Sequence, residues 1–295
     1  MTGPHLRLAT RRSPLALAQA EATAAALGAL GVTSELVTTD TVGDLDLTAS
    51  LERLGGQGVF VKEVQQLVLV GAADVAVHSA KDLPASTPST LLLAAVPKRA
   101  SAEDALVGRS LAGLGPGATV ATGAPRRRAL LQALRPDLHL IELRGNIATR
   151  LARLEDRHVD AVVMAVAALE RLGQGDRIAE VLDPSSFTPQ VGQGALALEC
   201  RVDDLEARRL LAQLHDPASG HALTGERAFL AELGAGCSVP AGCHVVASEG
   251  AWFGRAVLQG ADGRRLHRAE GRDEDPVALG QRLAEQVRSA REDHG

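Results

Sequence analysis

With 295 residues and a formal net charge of −5, the chain is long enough for two or three domains of ordinary size and lacks the basic excess that nucleic acid recruits. Apolar residues at 45% and charged residues at 23% are globular proportions that exclude disorder, and four Phe, one Trp and no Tyr leave few rings for stacking bases. No apolar run reaches a membrane span, no signal-peptide stretch opens the chain, and three cysteines without a CxxC pair fit a reducing compartment, so the expectation is a cytoplasmic protein with no metal site.

Short β-branched runs alternate with longer Ala/Leu-rich helical patterns: LRLAT, SPLALAQAEATAAALGAL, SELVTTD, FVKEVQQLVLVG, DVAVHS. That alternation predicts βαβ units and a mostly parallel sheet. A second series of the same style follows from about residue 100: ATVATG, PRRRALLQAL, LHLIELRG, ATRLARLED, DAVVMAVAAL. Pro/Gly/Ser-rich crossings at 96–101 and 186–194 bound it, and ALALECR reads as a further strand. The last part combines the helix HALTGERAFLAELG, a cysteine loop, three alternating segments and a closing helix PVALGQRLAEQVRSARE, which predicts a small α+β domain with an antiparallel sheet. The glycines and scattered acids of residues 42–58 predict a mobile loop able to act as a lid.

Helix N-termini carry partial positive charge and normally recruit acids, yet three strand-to-helix turns here carry arginines. Arg11 and Arg12 precede Ser13, placed to N-cap, and Pro14, placed at the first helical position. Pro125 opens a helix whose first turn holds Arg126, Arg127 and Arg128; Arg144 ends a strand before Asn146, a candidate cap, with Arg150 and Arg153 close behind. Any one cluster reads equally well as solvated arginines. Three at equivalent turns favour a ligand with several carboxylates or phosphates, held by guanidiniums and free backbone N–H groups at the carboxyl edge of each sheet. The strand DVAVHS delivers His78, Ser79, Lys81 and Asp82 to the same edge. Among cations, Asp82 would stay ionised, suited to stabilise a cationic intermediate or relay protons, although an Asp before Leu-Pro is also a turn former. His78 reads as a packed strand residue.

With these turns, ADVAVHSAKDLP and AGCSVP in view, the chain resembles the porphobilinogen deaminase family nearly end to end. LATRRSPLALAQA, GVFVKE, PRRRALL, LRGNIATRL, AVAALERLG and VGQGALALECR occur in the family's order. The resemblance implies two type II periplasmic-binding-protein-like α/β domains around a cleft (residues 1–97 with 195–216, and 98–194) and a C-terminal domain (217–295) with a three-stranded antiparallel sheet. It implies a covalent dipyrromethane cofactor on Cys237 through a thioether. It further implies stepwise condensation of four porphobilinogen molecules through electrophilic azafulvenes, with loss of ammonia, then hydrolytic release of 1-hydroxymethylbilane by a monomeric enzyme. Carried over by position, Asp82 is the catalytic carboxylate. Lys81, Ser13, Arg126, Arg127 and Arg144 hold the cofactor together with Asp82, and Arg11, Ser13, Arg144, Arg150 and Arg171 hold substrate carboxylates. Phe60 and Lys62 match the segment beside the lid.

Departures from the family's pattern are Gly123 and Ala124 in place of two hydroxyl residues, Gln57 at a commonly basic position, and Ala235 for a glycine before Cys237. Two rival readings of the residues remain: a non-catalytic hinged anion-binding protein, which leaves Asp82 and Cys237 without work, and a thiol hydrolase using Cys237 with His244, disfavoured because no cation near Cys237 in sequence favours its thiolate.

Overall fold

The structure is a computed structural model that describes residues 3–40, 61–156, 158–234 and 240–292. The expected lid at 42–58, Gln57, Phe60 and the Ala235–Cys237 loop therefore lie outside the described residues. In chain order the first part forms β1 (His5–Arg11), α1 (Pro14–Ala29), β2 (Thr33–Thr39), α2 (Lys62–Leu69), β3 (Val75–Ser79) and β4 (Leu91–Ala95). After the first crossing come β5 (Asp104–Val107), β6 (Thr119–Ala121), α3 (Pro125–Leu134), β7 (His139–Ile141), α4 (Ile147–Ala152), β8 (Ala161–Ala165), α5 (Val166–Arg171) and β9 (Ile178–Leu182). The chain then returns through β10 (Leu196–Arg201), α6 (Leu205–Leu211) and α7 (Pro217–Glu232), and ends with β11 (Ala241–Ser248), β12 (Ala251–Gln259), β13 (Leu266–Asp273) and α8 (Pro276–Glu292).

Two compact units result, Met1–Ala100 with Ala195–His221, and Ser101–Gly194 with Ala222–Gly295. The first holds a sheet of order β2-β1-β3-β10-β4, in which β1 pairs in parallel with β2 and β3 while β10 runs antiparallel to β3 and β4. Side chains alternate across a strand, so Leu6, Leu8, Val75 and Val77 meet Ala20 and Leu27 of α1 and Leu210 and Leu211 of α6 on one face. Ala9 and Ala76 turn to the other face, under Val64 and Val68 of α2.

The second unit repeats this plan with order β7-β6-β8-β5-β9, where β5 is the antiparallel insert between β8 and β9. Each sheet thus receives its antiparallel strand just beyond one of the two crossings. Leu130 and Leu131 of α3 pack with Val120 and Val163 on one face, and Leu151 and Leu169 of α4 and α5 pack with Ala121 and Val162 on the other. The third sheet is the antiparallel meander β11-β12-β13; Val257 of β12 joins the α3 side of that core. Leu279, Leu283 and Val287, four apart on α8, are all buried. No helix among the described residues is long and apolar enough to cross a membrane.

Candidate functional site

In the first unit β1 and β3 run in parallel, so Arg11 at the end of one and the turn after the other reach the same sheet edge. Ser13 caps α1, its Oγ accepting the Ala16 N–H at 3.3 Å, and Pro14 takes the first helical position, as the sequence predicts. Beyond β3, Ala80–Asp82 make one 3-10 turn carrying Lys81 and Asp82. The Ala80 N–H donates to the Ala195 carbonyl at 3.0 Å, and that of Leu83 to the Ala80 carbonyl at 3.2 Å. A pocket at this edge is lined by Arg11, Ala16, Gln19, Val77, His78, Ser79 and Asp82. Gln19 Nε2 donates to Ser79 Oγ at 2.8 Å and so ties α1 to the end of β3. His78 is a packed strand residue whose Nε2 lies 3.2 Å from Glu199 Oε2. Burial works to raise the Glu199 carboxyl, but His78, Gln65 and Thr87 outweigh it and hold it below the usual carboxylate range.

In the second unit the arginines of α3 turn inward. Arg126 and Arg127 are each 5% exposed and converge on Asp104, which is 0% exposed at the start of β5. Arg126 Nη2 donates to Asp104 Oδ2 at 2.6 Å; Arg127 approaches Oδ1 with Nε at 2.9 Å and Nη2 at 2.7 Å. Gln193, on the return crossing, donates to Asp104 Oδ1 at 3.0 Å and to the Ala102 carbonyl at 2.7 Å. Burial alone would raise the Asp104 carboxyl, yet the two guanidiniums hold it below the ordinary range; burial pulls the Arg126 guanidinium down from its usual value. Gly242 of β11 lets the third sheet approach: a Cβ there would stand 2.9 Å from Arg126 Cδ and 2.6 Å from the Pro189 carbonyl oxygen.

The predicted residues therefore fall into several groups. Arg11 and Asp82 share the first-unit pocket, with Ser13 capping the helix alongside and Lys81 on the same turn as Asp82. Arg126 and Arg127 form the buried second-unit cluster. Arg144 pairs with Glu142 at 2.6 Å on the surface, and Arg150 Nε donates to the Gly145 carbonyl at 2.7 Å beside the Asn146 cap of α4. Arg171 extends from α5 to the Gly194 carbonyl at 2.7 Å, and burial lowers its pKa. Some of the helix-end positive charge is met inside the chain, by Asp40 for Arg12, Glu142 for Arg144 and Asp104 for the α3 pair. Sequence reading missed Asp104, Gln193 and Gln19. An acid opening the apolar run of β5 was the only local sign of the first.

Gly123 and Ala124, the two departures at the α3 turn, are physically different. A Cβ on Gly123 would lie 2.1 Å from the Leu143 carbonyl oxygen, so a hydroxyl residue there must displace the backbone leading to Arg144. Ala124 is the N-cap of α3 with extended backbone and no side-chain cap. Gly123→Ser is expected to cost about 1–3 kcal/mol through overpacking, and Ala124→Ser to add about 0.5–1 kcal/mol through capping. Urea unfolding of both variants checks the opposite signs.

Fold and sites together define an α/β protein with a carboxylate beside an arginine at one sheet edge of the first unit and, in the second unit, two buried guanidiniums on one carboxylate at a helix start. A family model described as "Porphobilinogen deaminase, dipyromethane cofactor binding domain" matches residues 6–209, and one described as "Porphobilinogen deaminase, C-terminal domain" matches residues 221–289. The chain belongs to the porphobilinogen deaminase family, enzymes of the transferase class. The porphobilinogen deaminase of Roseiflexus castenholzii is 44% identical over 293 residues, covering 97% of this chain and 96% of that protein. That of Acidothermus cellulolyticus is 45% identical over 288 residues, covering 95% and 87%. Among solved structures, the methionine binding protein MetQ aligns with 76% of this chain and 94% of its own at 14% identity, with a TM-score of 0.46.

Proposed function

We propose that the protein condenses four porphobilinogen molecules head to tail, releasing one ammonia at each addition, on a dipyrromethane primer attached to Cys237, and then releases 1-hydroxymethylbilane by hydrolysis. The observation that carries this reading is the convergence of Arg11 and Asp82 in one pocket at the carboxyl edge of the first sheet, in a chain of this family. The cofactor's fit is supported by Arg126, whose Nε is buried without a hydrogen-bond partner while its Nη2 holds Asp104. A buried, unmatched donor on a guanidinium suits a carboxylate.

In this reading Lys81, Ser13, Arg126, Arg127 and Arg144 hold the primer's carboxylates. When bound, the dipyrromethane would supply the nucleophilic ring carbon for the first addition only, the terminal ring of the growing chain supplying it for each later one. Arg11, Ser13, Arg144, Arg150 and Arg171 bind the acetate and propionate groups of incoming substrate. Asp82 faces the positive charge that develops on the pyrrole as ammonia departs, and its carboxylate oxygens take the ring proton lost when the new carbon–carbon bond forms. Domains at 1–97 with 195–216, 98–194 and 217–295, a cytoplasmic location and a monomeric state belong to the same proposal.

The test combines intact-protein mass with ammonia release. Expected are an added mass of two linked pyrrole units and steady ammonia production from porphobilinogen. Active protein with an unmodified Cys237 overturns the reading. Binding of porphobilinogen without ammonia release points instead to a hinged anion-binding protein.

A further inference from the structure

Two guanidiniums share one carboxylate in the second unit. Asp104 gives Oδ2 to Arg126 and Oδ1 to Arg127, while Gln193 donates to Oδ1 as well. Two positive charges against one negative leave one positive charge in a place where the three side chains are 5%, 7% and 0% exposed. Among the described residues no second carboxylate pairs with either guanidinium, although uncompensated buried charge is among the costliest things a fold can hold. Of the remaining N–H groups, Arg127 Nη1 donates to the Val163 carbonyl at 3.1 Å and Arg126 Nη1 to the Thr188 carbonyl, while Arg126 Nε has no partner. The acid that arranges this comes from β5, the antiparallel insert, and not from the α3 turn that carries the arginines.

We propose that Asp104 is a positioning residue for this anion site: it fixes both guanidiniums on one carboxylate and sets the site's net charge, so that the site accepts one carboxylate group at a time. Each acetate or propionate of a pyrrole carries a single carboxylate, which matches that charge; a compact dianion over-neutralises it. The inference rests on the proposed function for the identity of the physiological anion, but the charge rule stands on the geometry alone.

The test separates these. In a Cys237→Ser chain, which cannot carry the covalent cofactor, thermal midpoints are measured with acetate and with malonate at equal ionic strength. Acetate is expected to raise the midpoint more; adding Asp104→Asn is expected to reverse the order, with malonate half-saturating at least tenfold lower than before. The same order of the two anions in both proteins overturns the proposal. In chains that retain Cys237, Asp104→Asn is expected to lower the fraction carrying the two-pyrrole mass at least tenfold, with Asp104→Glu intermediate, and wild-type occupancy in Asp104→Asn overturns it. Should Asp104→Asn fail to fold, Asp104→Glu decides: kept acetate preference with at least threefold lower occupancy supports the role, and wild-type occupancy removes it. If the wild-type chain releases no ammonia from porphobilinogen, the catalytic reading falls while the anion order still decides the role of Asp104.

Discussion

Asp82→Ala is expected to retain the attached two-pyrrole mass while turnover falls by roughly 10²- to 10⁴-fold, the range for loss of a positioned acid–base group. The turn that carries Asp82 is held by main-chain bonds, Ala80 to Ala195 and Leu83 to Ala80, so removing the carboxylate leaves its backbone in place. The neighbouring pocket wall is tied separately, by Gln19 to Ser79. The loss is therefore chemical and not structural, and it should appear in kcat, with KM changed much less because, on the proposed assignment, Arg11 and the other arginines still hold the substrate's carboxylates. Asp82→Asn sharpens the point. It keeps the shape and one acceptor oxygen but removes the charge, so a drop close to that of alanine means the charge opposite the pyrrole cation is what matters. Ammonia release and product formation, both normalised to cofactor-loaded protein, give the comparison. Normal turnover in Asp82→Ala removes the assignment.

What the sequence made legible is what depends on near neighbours. Ser13 capping α1, Asn146 capping α4 and Pro125 opening α3 are decided within three or four residues, and all three stand as read. The two α/β series and the antiparallel sheet followed from periods of two and 3.6, which are also local. The short strands β4, β5 and β9 were not read, whereas β6 and β7, shorter still, were visible through the helical patterns that follow them. The parallel core was readable, but the antiparallel insert was not, because its place depends on which strand pairs with which across a crossing.

The site divides along the same line. Asp82 and Arg11 announce themselves at strand ends. Asp104 meets Arg126 across 22 positions and Gln193 across 89, so their cluster exists only once β5 is inserted beside β8. The arginines of α3 were visible from the sequence, but the inside carboxylate they share was not. Gln19 was visible only as a helix residue; its bond to Ser79 spans 60 positions. His78 turned out as its strand context indicated, packed and buried, and Cys200 is likewise buried in β10, where burial pushes its thiol up to about 11.

Cys237→Ser is expected to give a folded chain with no attached two-pyrrole mass and no ammonia release from porphobilinogen. A free thiol is a few per cent thiolate near neutral pH and intrinsically nucleophilic, whereas a serine hydroxyl needs an adjacent base, and Gly234 to Pro240 contains neither base nor cation. The other two thiols offer no bypass: Cys200 and Cys243 are each 0% exposed within strands, and the first is further disfavoured as a thiolate by burial. The variant also separates a tether from a nucleophile used in every turnover. If the sulfur reacts once and then remains in a thioether, the loaded wild-type enzyme should keep its activity after iodoacetamide, because no thiolate at Cys237 is left to alkylate. Cofactor-free protein treated in the same way should lose the capacity to acquire the added mass. Rapid inactivation of fully loaded enzyme, with the new adduct mapped to Cys237, would instead return that cysteine to the role of a cycling nucleophile.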